Sequence, residues 1–112
     1  MERSEVWWAE LPGAAGCGSA VRRPVVIVSS NAFNQSRIRT VIAVVLTTNL
    51  QIAEAPGSVL IGTEESGLPK DSVAIVSQVV TLNKHFLIQR SGRLPPRAMK
   101  AIENGLRLVL SL

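Results

Sequence analysis

Catalytic side chains are scarce in this chain of 112 residues: it has one cysteine, one histidine and no tyrosine, and only two Trp and two Phe. With Cys17 alone, no internal disulfide forms and a cysteine-rich metal site is excluded. With His85 alone, a ribonuclease mechanism built on two histidines of one chain is excluded, as is a histidine-rich zinc site. Long apolar runs are missing too. The longest, VIAVVL at 41–46, falls far short of the ~20 residues that cross a bilayer. The opening MERSEVWW carries an acid at position 2 and lacks the apolar core of a signal peptide, so a cytoplasmic location is expected. No Walker loop, no nucleophile elbow and no carboxylate cluster suited to two-metal chemistry is present.

What remains is a globular composition, 46% hydrophobic and 18% charged. The length fits one domain over 1–112, burying roughly two-thirds of its chain surface. Twelve Lys and Arg against eight Asp and Glu give a net charge of +4. The excess is uneven. Lys84, Arg90, Arg93, Arg97, Lys100 and Arg107 face a single acid, Glu103, while Lys70 is the only base between 40 and 83. Such an excess attracts polyanions, and it also serves solubility alone.

Short β-rich runs alternate with turn signals through the first ninety residues. The pattern predicts strands at 5–10, 23–30, 39–48, 58–62, 72–82 and 87–94. The third is apolar almost throughout, which implies that both its faces are covered. LPGAAGCGSAV forms an exposed loop after the first strand, and NAFNQS a polar or helical turn. From Pro95 onward the period changes. Met99, Ile102, Leu106, Val109 and Leu110 define an amphipathic helix with proline in its first turn. Gly105 weakens that helix by about 1 kcal/mol relative to alanine. Strands closed by one helix predict a mainly β fold, a small antiparallel barrel.

The stretch AVRRPVVIVSS sets two arginines at the mouth of an apolar strand. Pro24 pushes Arg23 into extended geometry, and alternation sends Arg22 and Arg23 to opposite faces. Thr47 and Thr48 end the third strand, where a hydroxyl is able to donate to a phosphoryl oxygen or simply make a local bond. Gln78 interrupts an apolar strand and needs a polar partner or a ligand. Trp7 and Trp8 also point to opposite sides, and an outward indole suits either a base or an interface. Cys17 lies in the glycine-rich loop, with nothing nearby in sequence to activate it. His85 reads as a surface residue.

Taken together, RSEVWWAELPG, RRPVVIVSS, LTTNL, GLPKDSVAIVSQVVTLNK and GRLPP, in this order, resemble the MazF/PemK family of toxin endoribonucleases over roughly residues 3–110. The resemblance implies an SH3-like barrel that forms a homodimer, cuts single-stranded RNA without metal or other cofactor, and is silenced by a cognate antitoxin. It places the catalytic roles on Arg23 and Thr47 and substrate contact on Gln78. The RNA-facing loop of the family maps onto 12–22, including Gly16, Cys17, Gly18, Ser19 and Arg22. Two positions depart from the family pattern: Ser4 stands where glycine is usual, and GCGSA replaces a GSEQG-like loop.

RNA supplies its own nucleophile, the 2′-hydroxyl beside the scissile phosphate. A fixed cation and a hydrogen bond therefore suffice to stabilise the developing charge, leaving a 2′,3′-cyclic phosphate and a 5′-hydroxyl. An acidic antitoxin would lie over the same cationic groove. Two other readings compete. A CcdB-like gyrase poison shares the architecture but acts through a terminal tryptophan, whereas this chain ends LRLVLSL. A non-catalytic RNA-binding barrel would draw on the basic 84–107 segment.

Overall fold

The computed structural model describes residues 1–11 and 21–112. Six strands, β1 (Glu5–Leu11), β2 (Val21–Ile27), β3 (Thr40–Thr47), β4 (Val59–Ile61), β5 (Ser72–Asn83) and β6 (Leu87–Arg93), form one antiparallel sheet in the order β4-β5-β3-β2-β1-β6. Helices α1 (Asn31–Gln35), α2 (Thr63–Ser66) and α3 (Pro96–Leu110) complete it. A mainly β fold with a closing helix is what the sequence pattern anticipates. The strand limits differ by one to three residues at several ends, and β2 stops at Ile27 rather than at Ser30. Leu11 belongs to β1, and Val21 and Arg22 belong to β2 rather than to the loop.

A short connection forces the sheet to curl. Three strands separate β5 from β6, so a flat sheet would set them roughly 19 Å apart. The chain from Asn83 to Leu87 reaches about 14 Å at most. The sheet therefore bends over one face. At the open side α2 bridges the two edge strands, and its Ser66 carbonyl accepts from Ser91 Oγ of β6 at 3.1 Å.

Curling divides the core in two. Val6, Val26, Val44, Leu46, Val76, Met99 and Ile102 pack on the face covered by α3. Ala9, Val25, Ile27, Val41, Ala43, Val45, Leu82 and Leu87 fill the other. Successive residues of β3 alternate between these clusters, which is why its sequence is apolar on both faces. The two indoles separate the same way, Trp8 onto the first cluster and Trp7 onto the second.

α3 departs from the expected apolar stripe. Ala98, Met99, Ile102 and Gly105 are its buried residues, but Val109 is 40% and Leu110 53% exposed, so the last turn contributes little to the core. Gly105 faces inward rather than to solvent. It abuts the turn at Gly57, itself at φ +80°, and a Cβ built on Gly105 would lie 2.2 Å from the Gly57 carbonyl oxygen.

Much of the basic C-terminal segment is engaged in ion pairs. Arg90 meets Glu5 at 3.2 Å, Arg97 meets Glu65 at 3.2 Å, and Arg93 pairs with both Glu2 and Glu5. Lys84 Nζ donates to the Asn34 carbonyl at 2.6 Å. Glu5 is buried, which favours its neutral form. The Glu2 amide, the Trp7 indole N–H and the Arg90 guanidinium oppose that effect and hold its carboxyl below the usual range. Three of the six bases along 84–107, Arg90, Arg93 and Arg97, are therefore paired with acids of the same molecule.

Ser4 explains one departure from the family pattern. Its φ is +79°, in the left-handed region, and its backbone is pinned on both sides. The amide donates to the Ile27 carbonyl at 2.8 Å, and its carbonyl accepts from Leu94 N at 2.9 Å. A side chain here costs about 1–2 kcal/mol, of which glycine's greater unfolded-state entropy offsets part. Ser4→Gly should raise stability by about 0.5–1 kcal/mol. Urea denaturation measures this directly, and an unchanged or lower midpoint would show that the hydroxyl compensates for the strain.

Candidate active site

Arg23 lies opposite Ala9 on β1, and the β2–β3 register pairs Val25 with Val45. The β2–β3 pairing stops there, and Arg23 and Thr47 lie two residues beyond it, at the mouth where both line the same two cavities. Extended geometry before Pro24 keeps Arg23 on the side of Val25, while Arg22 falls on the side of Val26 and Trp8. Arg22 accordingly stands over the Trp8 ring at cation–π range, with its guanidinium carbon 5.8 Å from the ring centroid. The divergence expected from the sequence is observed.

Arg23 is exposed and makes no salt bridge among the described residues. Residues 12–20 contain no Asp or Glu. Thr47 is nearly buried, at 9% exposure, and its Oγ1 accepts from the Asn49 amide at 3.2 Å. That bond occupies a lone pair and leaves the hydroxyl proton free to donate elsewhere. The local bond expected of a strand-ending threonine thus also orients the group.

Arg23 and Thr47 form a wall shared by two chambers. The first, about 310 Å³, is bounded by Trp8, Pro24, Leu46, Leu68 and Pro69, with Arg22 and Lys70 beside Arg23. The second, about 230 Å³, is bounded by Leu11, Val45, Ile52, Ile75 and Gln78. No acidic side chain among the described residues lines either one.

Gln78 arrives through an irregularity of β5. Val44 of β3 pairs with Val79, but the next residue, Val45, pairs with Ile75. Val76, Ser77 and Gln78 are therefore extra residues on β5, a bulge that breaks the alternation and turns Gln78 toward Arg23 and Thr47. Three of the expected site residues, Arg23, Thr47 and Gln78, are brought together. Arg22 stands at the first chamber. Gly16, Cys17, Gly18 and Ser19 lie outside the described residues. Lys70 was missed from sequence, although a lone base after Leu68-Pro69 in an otherwise acidic stretch was a usable signal. His85 is exposed, away from both chambers.

The model of PemK-like, MazF-like toxins of type II toxin–antitoxin systems matches residues 2–110. The chain belongs to this family. Endoribonuclease MazF6 of Mycobacterium tuberculosis is 43% identical over 112 residues, covering 100% of this chain and 98% of the relative. Endoribonuclease MazF of Staphylococcus saprophyticus is 32% identical over 112 residues, with 100% and 92% covered. Among solved structures, an endoribonuclease in complex with its cognate antitoxin from a Mycobacterial species superposes with a TM-score of 0.79 at 29% identity, covering 100% of this chain and 96% of that one. In this MazF-family member the strand ends carrying the Arg23–Thr47 wall are built from paired backbone. No helix among the described residues is long and apolar enough to cross a membrane.

Proposed function

We propose that this MazF-family endoribonuclease cuts single-stranded RNA at the wall formed by Arg23 and Thr47, by attack of the substrate's own 2′-hydroxyl. The observation that carries the reading is a guanidinium with no ion-pair partner among the described residues, lining the same two chambers as an oriented hydroxyl. The planar, positively charged arginine fork matches two phosphoryl oxygens. Thr47 adds one hydrogen bond to the same group. A guanidinium makes a poor base, so its contribution is stabilisation of charge developing in the transition state. The P–O5′ bond breaks as the P–O2′ bond forms. The proton of the 2′-hydroxyl leaves as the departing 5′-oxygen gains one.

Metal-independent cleavage is part of the proposal. It draws support from the three cations around the first chamber, which supply the positive charge a phosphoryl group needs. Gln78, in the second chamber, reads a base by hydrogen bonding, and residues 16–19 contact the RNA from the loop. We further propose that the chain acts as a homodimer in the cytoplasm. Its inhibitor is an acidic antitoxin segment laid over Arg22, Arg23 and Lys70.

The test is product analysis on a long unstructured RNA in excess EDTA. Cleavage should persist and yield cyclic phosphate and 5′-hydroxyl ends. A single 2′-deoxy nucleotide at the cleaved position should stop cutting there. Undiminished cutting at the deoxy site, or activity restored to a chelated enzyme only by metal, would sink the mechanism.

A further inference from the structure

The first chamber has a make-up that charge stabilisation alone does not use. Its walls are apolar, from Trp8, Pro24, Leu46, Leu68 and Pro69, yet three cations stand around it. Trp8 is half-buried and packs onto the first core cluster, so its ring is fixed, and Arg22 lies across its face. A flat apolar wall capped by a planar cation suits a planar aromatic solute. Lysine beside it suits an anion attached to that solute. The volume of about 310 Å³ lies near the lower end of small-molecule sites, roughly 300 Å³, which suits a ligand the size of a base. A nucleobase joined to its phosphodiester has all these properties.

We infer that this chamber takes one unpaired nucleobase flanking the scissile phosphate, stacked on the Trp8–Arg22 wall, with Lys70 against the neighbouring phosphate. The inference rests on the reaction proposed above, because Arg23 and Thr47 are the chamber's inner boundary. It gives the two chambers different tasks. Stacking is tolerant of base identity, so the Trp8 side holds a nucleotide without selecting it strongly. Selection falls to the side where Gln78 offers both a donor and an acceptor.

The experiment measures kcat/KM on a short single-stranded RNA containing one cleavage site, with and without an abasic nucleotide on either side of the cut. Trp8→Leu should lower kcat/KM by about 10- to 100-fold on intact RNA, and Trp8→Phe should recover most of it. An abasic nucleotide at one flanking position should cost the parent enzyme a similar factor, and Trp8→Leu should add no further loss on that substrate. Should Trp8→Leu fail to fold, the Trp8→Phe enzyme and the abasic series on the parent carry the test. Lys70→Met should weaken cleavage of all sequences alike and reduce the salt slope by about 0.7. Trp8→Leu cutting at the parent rate while losing only affinity for an acidic antitoxin peptide would assign the chamber to a protein partner and overturn the inference. Losses from Trp8→Leu and from base removal that multiply at both flanking positions would also overturn it. A parent enzyme that cuts no RNA fails at the earlier step, the reaction itself, and is told apart by the intact substrate alone.

Discussion

Arg23→Ala should lower RNA cleavage by about 10²-fold or more and leave thermal stability close to that of the parent. Both halves of that result follow from position. The side chain is exposed at the strand mouth and holds no carboxylate among the described residues, so its removal strands no buried acid. Its proposed role is met chiefly when charge accumulates on the phosphoryl oxygens, so the loss falls on kcat more than on KM. Arg23→Lys keeps the charge without the planar fork and should recover only part of the rate. Single-turnover cleavage alongside a thermal melt separates the two effects. Parent-like rates for the alanine variant would remove Arg23 from the reaction, and a collapsed melting transition would make it structural.

The largest stability effect is expected from Gly105→Ala, with a sign opposite to helix propensity. On an exposed helix face the substitution stabilises by about 1 kcal/mol. Here the added carbon would lie 2.2 Å from the Gly57 carbonyl oxygen and 3.0 Å from Val76 Cγ1. Backbone rather than a flexible side-chain end stands in the way, so α3 must shift outward from the sheet. Overpacking of this kind costs about 1–3 kcal/mol and occasionally more. A net loss of about 2 kcal/mol is expected, or a fall in Tm of about 8 °C for a domain of this size. Val76 also opens the β5 bulge that carries Gln78, so the variant should lose some cleavage as well. An unchanged or higher Tm would show that the helix yields without cost.

Local chemistry decided a good deal. Alternation and turn residues located all six strands, the proline pair located the start of α3, and Pro24 fixed how Arg22 and Arg23 diverge. These features depend on φ/ψ preferences and side-chain period within a few residues, and a sequence displays them directly. Arg23 and Thr47 were singled out through a resemblance, and the fold then brings both to the lining of the same two chambers.

Tertiary structure decided the rest, because contacts between distant segments leave no local period. The three-residue bulge that turns Gln78 toward Arg23 exists only as a mismatch between β3 and β5. Lys70 stands beside Arg22 and Arg23 only because β5, β3 and β2 are neighbours in the sheet, and Arg90 and Arg93 meet Glu5 only because β6 pairs with β1. Composition recorded how many charges this protein carries. Packing determined which of them remain available to a phosphate.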